Sequence, residues 1–198
     1  MLRTTAALLA ALAVTLVAAA PASAAPSARP SAGAGLDAAK RAVADRIDKR
    51  LEALDRFTAT IGKAKHLDAG HRDTLTKLIT DSRSGLTALK TKVAGETTAA
   101  AVKADAQSMV DDYRVFMLTG PKVRLSIAID TELAAVELLR NKPGADQAKL
   151  DAVAQSLAGK VDALLAIQPG PDGAAIRNSV QPIRAAAKSA RTTLKSLR

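Results

Sequence analysis

The chain of 198 residues has no Cys, no Trp, one Tyr and two Phe. Without Cys there is no disulfide framework, no thiolate nucleophile and no Cys-bound metal. Three aromatic rings cannot supply a platform on which bases or sugars stack. Hydrophobic residues make up 48%, but much of that is Ala, so the core must come from Leu, Ile and Val with close backbone approach at Ala. Such a composition suits helix on helix and disfavours a sandwich of aromatic and β-branched strands. Acids are also short: 19 Asp+Glu stand against 29 Lys+Arg, a formal balance of +10.

The arrangements that carry catalysis are missing as well. No Gly-rich phosphate loop occurs, and Ser82-Arg83-Ser84-Gly85 lacks the strand-turn-helix setting of a nucleophile elbow. The run His66-Leu67-Asp68-Ala69-Gly70-His71-Arg72-Asp73 gathers possible metal ligands. Its two His are five apart rather than i,i+4, and Asp68 is better explained as the N-cap of a helix. Asp111 and Asp112 diverge by about 100° on a helix and cannot easily share a substrate. Asp130 and Glu137 could share a face, but solvated or Arg-paired acids explain them better. Asp130 interrupts an apolar run and is expected to have a partner. These residues predict a non-enzymatic protein with no metal, no cofactor and no small-molecule substrate.

What is present begins with an address. Arg3 precedes an apolar run from Ala6 to Ala20, Pro21 breaks it, and Ala22-Ser23-Ala24 supplies a small-x-small cleavage pattern. Residues 1–24 are expected to be a signal peptide, since the run is short of the roughly 20 residues that span a bilayer. The mature chain would then be secreted with no transmembrane segment. Residues 25–35 are small residues, Pro and one Arg, which predicts a flexible leader.

From Leu36 the 3.6-residue period predicts helices over 36–65, 69–94, 98–119, 121–141, 145–167 and 174–197. Leu36, Val43, Ile47, Leu51, Leu54 and Ile61 form the first stripe, and Leu150, Val153, Leu157, Val161 and Leu164 form a heptad seam. Between Tyr113 and Asp130 two readings compete. Val123, Leu125, Ile127 and Ile129 alternate as in a strand, with Gly120-Pro121 as a turn. Against this, positions 102, 109, 116 and 123 keep a seven-residue step straight through Gly120-Pro121. The expected fold is all-α: an elongated antiparallel bundle of five to six helices, or two three-helix bundles sharing a long helix kinked at Pro121.

The C-terminal segment carries the one informative constellation. Beyond Asp172 there are no acids and six bases: Arg177, Arg184, Lys188, Arg191, Lys195 and Arg198. On a helix all six fall within a stripe about 80° wide, with Ile176, Val180, Ile183, Ala187, Ala190, Leu194 and Leu197 forming a heptad seam to one side of it. A solvated outer face explains exposed bases but not the missing acids, because such faces normally mix signs. A basic ridge suits an anionic polymer. An anionic cell-wall polymer is the expected partner, and pairing of the heptad seams with another helical protein is the alternative. An exported chain is not expected to meet a specific nucleic acid.

Three phrases together carry a resemblance: Arg46-Ile47-Asp48-Lys49-Arg50-Leu51; Asp81 through Lys90 (DSRSGLTALK); and Asp112-Tyr113-Arg114-Val115 followed by Pro121-Lys122-Val123-Arg124-Leu125. With the signal peptide, they resemble a group of uncharacterised secreted helical proteins of actinobacteria. The likeness covers roughly Leu36 to Glu137 and implies a secreted helical fold with no known activity.

Overall fold

The computed structural model describes residues 32–197. The expected signal peptide, residues 25–31 of the expected leader, and Arg198 lie outside the described residues. The described chain is helical, with no strand among the described residues, which excludes the hairpin reading at Gly120-Pro121 for this fold. Its helices are α1 (Ala32–Lys63), α2 (Ala69–Gly95), α3 (Ala99–Asp111), α4 (Gly120–Arg140), α5 (Gln147–Leu157), α6 (Lys160–Ala166) and α7 (Gly173–Ser196), with a π-helical turn (Val115–Thr119) leading into α4. Helix α1 starts four residues before Leu36, so the end of the expected leader is helical: once a helix is nucleated, each added residue gains a backbone bond. Among the described residues, no helix is long and apolar enough to cross a membrane.

The apolar stripes sort into two cores. Val43, Ile47, Leu54 and Ile61 of α1 pack with Leu75, Ile79, Leu86 and Val93 of α2 and with Val102 and Met109 of α3. Ile129, Val136 and Leu139 of α4 pack with Leu150, Val153, Leu157, Val161 and Leu164 of α5 and α6 and with the buried face of α7. Helix α4 serves both: Val123 and Ile127 join the first core, whereas Leu125, Ile129 and Leu133 join the second. One shared helix between two helical cores is therefore correct.

Its expected kink is not. The chain breaks at Asp112–Arg114, and Pro121 sits in the first turn of α4, where a missing N–H is harmless. Arg114 is the only non-Gly described residue with positive φ, at 42°, a conformation that costs an L-residue roughly 1–2 kcal/mol. Its guanidinium offsets that strain by donating to Asp111 Oδ1 at 2.8 Å, Gly170 O at 2.7 Å and Pro171 O at 2.6 Å. The αL residue and the π-helical turn shift the phase of the seam. Val115 and Leu118 are buried, while Phe116, expected on the seam, is 52% exposed with the Arg50 guanidinium 5.4 Å from its ring centroid.

The expected 145–167 helix is also divided, at Ala158–Gly159. Gly159 takes φ 65°, which closes α5 and opens α6 and which only Gly adopts without penalty. The heptad seam survives because both short helices turn the same residues inward. In α7, Pro182 lies inside the helix at an exposed position, so the carbonyl it leaves without a donor faces solvent.

Polar contacts fix which helices adjoin. Lys40 Nζ donates to Ala94 O, Lys90 pairs with Asp48 at 2.6 Å, and Arg83 pairs with Asp55; partner numbers fall along α2 as they rise along α1, so the two are antiparallel. Within α1, Glu52 and Arg56 form an i,i+4 pair at 3.9 Å. Asp68 caps α2 as predicted, accepting from the Gly70 and His71 amides, and Thr98 caps α3 by accepting from Ala101 N–H.

Candidate functional site

Helix α7 begins at Asp172, whose carboxylate accepts from the Ala174 and Ala175 amides, an N-cap that also favours the positive end of the helix. Ile176, Val180, Ile183, Ala187, Ala190 and Leu194 are buried in the second core. That burial fixes the rotation of the helix and turns Arg177, Arg184, Lys188, Arg191 and Lys195 outward, where all five are exposed. Over 18 residues the row runs about 27 Å at 1.5 Å per residue. The structure therefore brings together five of the six sequence-predicted residues; Arg198 lies outside the described ones.

What sets the row apart is that five bases lacking counter-ions among the described residues share one helix face. Eight of the 21 described bases outside α7 have a carboxylate partner, among them Lys77 with Asp81 at 2.7 Å, Lys90 with Asp48, Lys92 with Asp105 at 2.5 Å, Arg140 with Asp151 at 2.6 Å, and Lys149 with Asp146 at 2.9 Å. Among the described residues, none of the five α7 bases has a carboxylate oxygen within 4.0 Å. A charge left open this way keeps its full field at the surface.

One acid adjoins the row, and sequence reasoning missed it. Glu132 of α4 is buried beside Arg191 and Lys195, in a cleft of about 200 Å³ between α4 and α7. Burial pushes its carboxyl up to about 7, with Arg191 opposing the shift. The signal was in the sequence: Glu132 lies three residues after Ile129 and four before Val136, the spacing of an inward face.

Other candidate residues resolve into structural roles. Asp130 has the partner expected of it: its carboxylate accepts from Asp68 N–H at 3.0 Å and contacts His71 Nδ1 at 2.9 Å. His71 Nε2 lies 3.5 Å from Asp162, whereas His66 and Asp73 are exposed. Among the described residues no group of three His, Cys, Asp or Glu could hold a metal ion. Glu137 does not join Asp130; it pairs with Arg140 at 2.6 Å. Lys122, which sequence reasoning also missed, is buried and donates to Leu165 O at 2.8 Å and Ile167 O at 2.6 Å, satisfying carbonyls at the end of α6. Burial lowers its pKa to about 8.

Comparison with protein-family models, with curated proteins and with solved structures finds no match to this chain.

Proposed function

We propose that this is a secreted, non-enzymatic binding protein that holds an anionic polymer of the cell envelope along the exposed face of α7. The observation that carries the reading is the row Arg177, Arg184, Lys188, Arg191 and Lys195, exposed along one helix face and free of ion pairs among the described residues. A row of point charges about 27 Å long matches a repeating anion better than a single small ligand. Neutralising several polymer charges releases condensed counter-ions, so affinity falls steeply with salt.

The rival reading, in which the α7 seam pairs with another helical protein, is disfavoured by one fact. The seam residues Ile176, Val180, Ile183, Ala187, Ala190 and Leu194 are already buried within the chain. A partner would have to expel the second core to reach them.

The test is retention of the purified chain on an immobilised anionic polymer or isolated cell wall as salt is raised. Retention that falls steeply between about 50 and 200 mM salt is the expected result. Absence of retention at low salt overturns the reading.

A further inference from the structure

Glu132 is 8% exposed, and among the described residues its Oε2 has no hydrogen-bond partner. Such an oxygen is costly to bury as an ion. The cleft it occupies is lined on the α7 side by Arg191, Leu194 and Lys195 and on the α4 side by Ala128, Thr131 and Ala135. The two Ala leave room, and the Thr131 hydroxyl is already committed to Ile127 O at 2.6 Å. Among the described residues, Arg191 and Lys195 are the only other charged groups lining the cleft; α5, α6, α1 and α2, which also pack on α4, contribute no lining residue.

These two bases consequently face opposite demands. Among the described residues Arg191 opposes the upward shift of Glu132 and Lys195 lines the same cleft, and both are also part of the exposed row that an anionic polymer would engage. An anionic group drawn to Arg191 and Lys195 takes that compensation away and brings a like charge towards the carboxylate. Glu132 then escapes the conflict by taking a proton from solvent.

We propose that the α4–α7 cleft is a proton-coupled anion subsite, in which a phosphate or carboxylate group seated against Arg191 and Lys195 binds together with one proton on Glu132. This rests on the α7 reading above and adds its regulation. The raised carboxyl, at about 7, makes the proton available near neutral pH. Linkage sets the sign: when binding takes up one proton, affinity is greatest below the free-state pKa and falls as pH rises through it, by at most tenfold per pH unit.

The experiment measures the affinity of the whole chain for polyphosphate and for polyglutamate at pH 6 and pH 8, a range over which neither probe changes its backbone charge appreciably. The wild type is expected to bind about tenfold more weakly at pH 8. Glu132→Gln, which keeps the shape and removes the titration, is expected to bind equally at both pH values, close to the wild-type affinity at pH 6. Calorimetry in two buffers of different ionisation enthalpy should show proton uptake on binding near pH 7.5 for the wild type and none attributable to this site in Glu132→Gln. Proton-linked binding of polyphosphate alone supports the proposal and makes the group a phosphate; of polyglutamate alone, a carboxylate. Binding with no pH dependence in the wild type, or with the same dependence in Glu132→Gln, overturns the subsite and leaves the row of bases standing. No binding at any pH overturns the α7 reading itself.

Discussion

His71 on α2 and Asp130 on α4 meet through an Nδ1···Oδ2 contact of 2.9 Å, which ties a helix of the first core to the helix that both cores share. Asp162 on α6 approaches the other ring nitrogen at 3.5 Å, so one imidazole touches three helices. Burial disfavours a charged ring, but the hydrogen bond and charge of Asp130, with Asp68 and Asp162 behind it, hold the His71 pKa above its ordinary value.

The raised pKa sets a pH-dependent stability. Below the unfolded value of about 6.5, His71 is charged in both states and its ion pairs contribute fully. The contribution fades as pH rises through the higher folded-state pKa. His71→Gln should therefore lower the unfolding free energy most at pH 5.5–6, by about 1–3 kcal/mol, and less at pH 8.5. Chemical denaturation at both pH values checks this; a deficit that grows with pH contradicts it.

Lys122 gives the opposite slope. Its folded pKa of about 8 lies below the unfolded value of about 10.4, so between the two the unfolded chain binds more protons and stability rises with pH. The neutral amine still donates to Leu165 O and Ile167 O. Lys122→Met should cost about 1–3 kcal/mol by stranding those carbonyls, and the gap to wild type should widen from pH 8 to pH 10 in denaturant titrations.

The Tyr113 ring covers Gly85 of α2. A Cβ at position 85 would lie 2.7 Å from Tyr113 Cε1, closer than packed carbons tolerate. Gly85→Ala in the wild type should therefore destabilise by about 1–3 kcal/mol, overpacking outweighing the gain in helix propensity. With Tyr113→Ala already present, the same substitution should stabilise by up to ~1 kcal/mol. A double-mutant cycle of thermal melts checks the reversal of sign, and a cost in both backgrounds would show that Tyr113 is not the obstacle.

Much of the fold was legible because burial follows period. Val43, Ile47, Leu54 and Ile61 of the first stripe, and the whole seam from Leu150 to Leu164, are buried as their spacing predicts, with Leu36 and Leu51 half-buried. What period could not register is a change of phase produced by conformation rather than by composition. The seven-residue step from position 102 to 123 fails because Arg114 turns left-handed and a π-helical turn follows. Two of the three bonds that hold Arg114 go to Gly170 and Pro171, far along the chain. Gly159 shows the converse, where the helix breaks but the seam does not.

The candidate site was half legible for a related reason. The exposed row on α7 depends on one helix and its hydrophobic face, both written locally. Glu132 gains its meaning from Arg191, 59 positions further on, and only the packing of α4 against α7 places them together. The His71–Asp130 link is likewise long-range: a partner for Asp130 was foreseeable from the apolar run around it, but which partner was not.

On the proposed function, the arrangement of bases on α7, not net charge alone, binds the polymer. The most direct measurement compares two fourfold Gln variants for retention on an anionic polymer at low salt. One replaces Arg184, Lys188, Arg191 and Lys195; the other replaces Lys49, Lys63, Lys103 and Lys142, which are exposed, scattered and outside any ion pair among the described residues. Gln keeps a long stem and a good helix propensity, so circular dichroism should be unchanged in both. Retention is predicted to collapse in the α7 variant and to fall only modestly in the scattered one; equal losses would contradict the claim and reduce α7 to a solvated helix face.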